Sequence, residues 1–285
     1  MRTKSLGSLG RFQKAEGASR LDVLVMLTLG LILGVLLTVG WSSAREGGGL
    51  GECFSNQRQL MQAMFRYSLE HEDEIVPAVG NPGGGFWPLI ENVTPGISGL
   101  EAKGKMLTNF RQSPLYPYLL NAGVFHCPAD RRAQRLLPGQ GWAYDSYSKV
   151  NPMNGMGWQG SSAEIGPQPH FTRTHEIRDP TETLAFLEEA DPRGRNFGTW
   201  VMNVLPASSW VDVVGMFHQE STVFSFADGR VERKEWRDRM LIQAGNDALS
   251  GKSNFYLLGG NTENPDFRWL HDRYRHKRWT PIRSR

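Results

Sequence analysis

His218 is followed, after nine intervening residues, by Asp228-Gly229. A histidine and a carboxylate held together are part of many hydrolase sites, where the carboxylate orients the imidazole as a general base. The pair could meet if the two residues end paired strands. The alternative is that His218 hydrogen-bonds and orients the Asp-Gly turn. No serine lies in a nucleophile-elbow pattern. The other histidines (His71, His126, His170, His175, His271 and His276) are scattered, without the short spacings of zinc sites. His170, His175 and Glu176 come nearest to a cluster. The chain therefore reads as a non-enzyme. Its two cysteines, Cys53 and Cys127, both follow an apolar segment and would meet an oxidising compartment, where a Cys53–Cys127 disulfide is expected. Two separate buried thiols are the alternative.

These residues depend on the elements that carry them, and the first is the apolar run 23–40. It holds eighteen residues without a charge, about 27 Å of helix against a hydrocarbon core of about 30 Å. Ahead of it Arg2, Lys4, Arg11 and Lys14 face Glu16 alone. That asymmetry predicts a cytoplasmic N-terminus with the rest of the chain outside. The net charge of +3 is wholly that of the leader, so residues after 17 balance to zero and give no case for a nucleic-acid partner. Thirty-two Gly, sixteen Pro and nine Trp point to a loop-rich domain with aromatic anchors.

Gly47, Gly48, Gly49 and Gly51 should loosen a helix leaving the membrane. Helical character returns with Leu60, Met64 and Tyr67 on one stripe and Met61 and Phe65 beside it, until Pro77 ends the run. Residues 18–73 read as one helix with a glycine-softened middle. Downstream, 183–187 follows a Pro turn as an apolar strand, and Val223 to Phe226 is a strand running into an Asp-Gly hairpin turn and a second strand from Arg230.

The N-terminal residues resemble the type III signal of type IV pilins and type II secretion pseudopilins: a short basic leader ending in Gly17, then Ala18, with the acidic Asp22 as fifth residue of the mature chain. A second resemblance spans the rest. Cys53, Asn56, Arg58-Gln59-Leu60 and Tyr67, then Pro117-Tyr118-Leu119, Cys127-Pro128 and finally His218 with Asp228-Gly229, are similar in order and spacing to pilin-like proteins common in planctomycete and verrucomicrobial genomes. The resemblance implies an α+β fold in which a long N-terminal helix, half membrane and half amphipathic, packs on an antiparallel β-sheet head with large loops. It implies cleavage between Gly17 and Ala18 by a prepilin peptidase. Asp22 would pair with the new Ala18 amine of a neighbouring pilin or pseudopilin subunit in the inner membrane.

The boundaries expected on that basis are a leader 1–17, a membrane helix 18–46, an amphipathic continuation 47–75, a globular head 76–265 and a basic tail 266–285. From Arg268 to Arg285 it carries seven Lys or Arg against Asp272 and is expected to be solvated and disordered. No cofactor is implied, with one candidate ion: the pseudopilins resembled bind calcium in a C-terminal loop, and Glu188, Glu189, Asp191 and Asn196 offer oxygen ligands in a turn-rich stretch. The competing function is a periplasmic or secreted enzyme or glycan-binding module that uses the N-terminus only for export, since Ser42-Ser43-Ala44 suits an ordinary signal peptidase.

Overall fold

The computed structural model of the chain describes residues 20–78, 93–155, 170–191, 196, 199–203, 208–252 and 262–282, with the side chains of 20–23 and 32–48 left aside. It has two compact units, Met1–Arg45 and Glu46–Arg285. Helix α1 has the bounds Arg20–Glu70. In the first unit the described side chains of α1 are exposed and, Thr28 apart, apolar, among them Leu24, Met26, Leu27 and Leu31. Among the described residues no helix is long and apolar enough to cross a membrane. Most of the run 23–40 lies outside the described side chains.

The second unit is mixed α+β around an antiparallel-rich sheet. Its five strands stand in the order β3-β1-β2-β6-β7, where β1 is Tyr147–Val150, β2 Leu184–Glu188, β3 Thr199–Trp200, β6 Ser221–Phe226 and β7 Val231–Glu235. A separate ribbon pairs β4 (Met202–Asn203) with β5 (Ser209–Trp210). All neighbours in the large sheet are antiparallel except β1 and β3. The central strands β2 and β6 are buried along their whole lengths. That fits Leu184–Leu187 as a continuous apolar run and β6 as a stretch without a charged residue.

The amphipathic stripe is where the sequence placed it. Leu60, Met61, Met64 and Tyr67 are buried in the main core, and α1 is fastened to the sheet by Gln57, whose Nε2 donates to the Val223 carbonyl at 2.8 Å. The hairpin between β6 and β7 differs from the two-residue turn expected. Gly229 N–H donates to the Phe226 carbonyl and Phe226 N–H to the Arg230 carbonyl, with Gly229 at φ +89°. This is a three-residue loop closed by a left-handed glycine. The Phe65 ring of α1 leans against it, 3.3 Å from where a Cβ on Gly229 would stand.

Residues 266–276 are packed and not a solvated tail, whereas Lys277, Arg278, Thr280 and Pro281 are exposed. Asn264 caps a helix, Pro265–Arg273, by accepting from the Asp266 and Phe267 amides, with Pro265 in its first turn. Phe267, Leu270 and Tyr274 are buried, and the Trp269 ring packs edge-on against Phe224 and Trp236. The basic groups are spent locally: Arg273 and Arg275 lie over Trp269 and Trp279 and pair with Glu182 and Asp179. Of the aromatic residues Trp269, Tyr274 and Trp279, only Trp269 lies within the helix.

Candidate functional site

Four buried residues from four distant segments converge. Cys53 stands on the buried face of α1, Cys127 opens the turn after a 3-10 segment (Ala122–Phe125), Glu188 ends β2, and His218 precedes β6. Their donor atoms all lie within 4.8 Å of one another. Cys53 Sγ donates to Glu188 Oε1 at 3.0 Å, the same oxygen lies 3.1 Å from His218 Nε2, and Cys127 Sγ lies 3.4 Å from that nitrogen. Both thiols are free. The expected disulfide is corrected on this point: the cysteines do meet, but each sulfur has its own polar partner.

Local structure explains why these side chains hold still. Cys127-Pro128-Ala129-Asp130 is a turn closed by Asp130 N–H to the Cys127 carbonyl at 2.9 Å, with Pro at its second position. The Cys127 N–H donates to Ser146 Oγ, also at 2.9 Å. Glu188 uses its second oxygen, Oε2, to accept the Val223 N–H at 2.8 Å, which aims Oε1 at the thiols. The Tyr147 ring, wholly buried, sits opposite Glu188 in the β1–β2 pairing.

The electrostatics follow from burial. Desolvation pushes the Cys53 thiol well up, and the neighbouring Cys127 and the Glu188 charge push it further. Burial works to lower the His218 imidazole, but its hydrogen bonds to Cys127 and Glu188, with the Glu188 charge, outweigh that and raise it to about 10. Both shifts favour the proton: they hold it on the Cys53 thiol and on the His218 imidazole.

His218 and Asp228 do not meet. They lie at opposite ends of β6, whose six residues span about 20 Å. Asp228 instead turns its Oδ1 to the Arg230 N–H at 2.9 Å, so neither the hydrolase pairing nor the idea that His218 orients the turn holds. Asn56 donates to the His126 carbonyl at 3.0 Å, fixing α1 to the segment that carries Cys127. Arg58 is exposed, and Gln59 bonds within α1 to Ser55. Gly17 and Ala18 lie outside the described residues, and Asp22 falls within α1 without a described side chain.

The proposed calcium set is divided. Glu188 belongs to the thiol group, whereas Asn196 accepts from the Asp191 N–H and donates its own N–H to Asp145 Oδ2. The positive charge in that second cluster is Arg132, which reaches the carbonyls of Asp145, Glu189 and Asp191. It also forms a buried ion pair with Asp130. Alternation along an extended segment sends neighbouring side chains to opposite faces, so a run of acids in sequence is not one site in space. Ser146 links the two polar groups, donating to Asp130 Oδ2 at 2.8 Å while holding the Cys127 amide.

Comparison with known proteins gave no match. No family model, curated protein or solved structure matches the chain. The site is therefore argued from its own geometry: two thiols, an imidazole and a carboxylate, shielded from water, with the donor set of a soft metal centre or of a hydrogen-bonded lock between helix and sheet.

Proposed function

We propose that the chain is a pilin-like structural subunit of the bacterial cell envelope, freed from its leader between Gly17 and Ala18 and assembled through its apolar N-terminal helix. The observation that carries this reading is the exposed apolar surface of α1. Leu24, Val25, Met26, Leu27, Leu29 and Leu31 are 48 to 72% exposed. A helix apolar on all sides needs lipid or other helices around it, and a bundle of such helices is how a pilin subunit would be held in the inner membrane and then in a fibre. The later turns of the same helix carry the opposite pattern, one buried face against a sheet, which suits a stalk that ends inside a globular head.

In this reading the new Ala18 amine and Asp22 of adjacent subunits neutralise each other at similar membrane depth. The partners are a prepilin peptidase and other pilin or pseudopilin subunits. The finer fold assignment, a pilin-like head with its long N-terminal helix, belongs to the same proposal and is supported by Gln57 and Phe65 of α1 packing on the β6–β7 hairpin.

The deciding experiment is the N-terminal residue of the membrane-extracted protein, by intact mass and peptide sequencing. Ala18, methylated or not, is expected. Arg45 would show an ordinary signal peptidase product and turn attention to an exported head, and an intact Met1 would show a permanent anchor. Either result overturns the proposal.

A further inference from the structure

We infer that Cys53, Cys127, Glu188 and His218 form a binding site for one divalent transition-metal ion, and that zinc is the ion it fits. The inference rests on the head alone and stands whether or not the chain polymerises. Four donors, each from a different segment, lie within 4.8 Å of one another and are buried. A tetrahedral zinc site with two sulfurs, one nitrogen and one oxygen has donor–donor edges of about 3.4–3.8 Å. The three contacts here, 3.0, 3.1 and 3.4 Å, are shorter by a few tenths of an ångström, so these edges open around the ion while the remaining pairs, all within 4.8 Å, close on it.

The donor types select the metal. Two thiolates with an imidazole favour zinc and disfavour calcium or magnesium, which take oxygen ligands. Four protein donors leave no open position, so the ion is structural. Glu188 has the supporting contact such a ligand needs, its far oxygen being fixed by the Val223 N–H. A disulfide would use only the two sulfurs, leaving Glu188 and His218 as a pair beside it. A metal uses all four groups in one centre. Binding is a proton exchange without redox change: the two thiol protons and the His218 imidazolium proton leave to solvent as the metal–sulfur and metal–nitrogen bonds form.

The test uses the full chain, purified under reducing conditions and then exchanged into buffer without reductant. One equivalent of zinc by elemental analysis is expected. Cobalt(II) titrated into the zinc-free chain should give thiolate-to-cobalt charge-transfer absorption saturating at one equivalent, with both thiols shielded from a thiol reagent. In Glu188→Gln and His218→Gln chains the cobalt affinity is expected to fall by about 10-fold or more. The wild-type titration stands by itself where a variant does not fold. A folded chain with two reactive thiols that binds neither zinc nor cobalt overturns the inference. So does a metal-free chain with the mass of a Cys53–Cys127 disulfide. An unprocessed leader leaves all of these readouts unchanged, so failure here and failure of the assembly reading are separate results.

Discussion

Arg132 and Asp130 form an ion pair at 2.8 Å in which neither side chain is more than 1% exposed. The guanidinium also donates to three backbone carbonyls, and Asp130 Oδ2 accepts from Ser146. The pair is therefore satisfied on both sides, the condition under which buried charge is tolerated. Removing one partner strands the other. Asp130→Ala is expected to lower stability by about 3–5 kcal/mol, read from the urea midpoint. Asp130→Ala combined with Arg132→Met is expected to recover little of that loss, because the buried Asp145 and Asp191 then lose the neighbouring cation and three carbonyls lose their donor.

Gln57 ties α1 to the sheet by a single side-chain bond to the Val223 carbonyl. Gln57→Leu keeps the volume but leaves that carbonyl without its donor. The expected loss is about 1–3 kcal/mol, measured by chemical denaturation.

Gly229 combines a positive φ with a close ring. Gly229→Ala must adopt φ +89° and push on Phe65, and is expected to destabilise the head by about 1–3 kcal/mol. Gly229→Asn should cost less, since Asn enters the left-handed region more readily. The order of the two thermal midpoints checks this.

The pH dependence should show at Glu176. Partial burial acts to raise its carboxyl, but Lys277 and the Thr172 and Arg173 amides outweigh it and bring the group from 4.5 down to about 2. A carboxyl depressed in the folded state contributes stability that is complete above its ordinary pKa. The contribution is lost as pH falls through the folded value, so the window is about pH 4.5 to 2. Glu176→Gln should lie below the wild type in thermal midpoint at neutral pH, and the gap should close across that window. A constant gap would show that charge is not the cause.

Asp22→Ala should leave the head folded, with an unchanged near-ultraviolet circular dichroism spectrum, while abolishing incorporation into filaments. Cross-linking of membrane-extracted subunits provides the measurement, and unchanged assembly would count against the role given to Asp22.

The elements were legible where one local signal dominated. The stripe Leu60, Met64, Tyr67 and the run after Thr183 landed as buried helix face and central strand. Asp228-Gly229 announced a turn, though not its length, because loop size depends on the register of the pair Ser225 and Val231. The C-terminal helix was signalled by Asn264-Pro265-Asp266, a cap followed by proline, and the density of basic residues hid it.

The site was not legible, and the reason is specific. Cys53 and Cys127 suggested a disulfide, Glu188 a calcium loop, and His218 a turn, so one centre was divided among three readings. Zinc-ligand spacing is informative only when ligands come in local pairs. Here every pair is joined by tertiary structure, and no property of the segment 188–191 says that Glu188 alone turns toward a cysteine on the helix.

The long reach of those contacts orders events in time. Cys53 meets Glu188 across 135 residues and Cys127 meets His218 across 91. During synthesis both sulfurs appear before their imidazole and carboxylate partners, and contacts of such separation close late in folding. For that interval the thiols are open to any oxidant around the growing chain. The arrival of β6, carrying Val223 to hold Glu188 and bringing His218 just before it, ends that exposure. The C-terminal hairpin thus acts as a timer for the chemistry of a helix laid down at the other end of the chain.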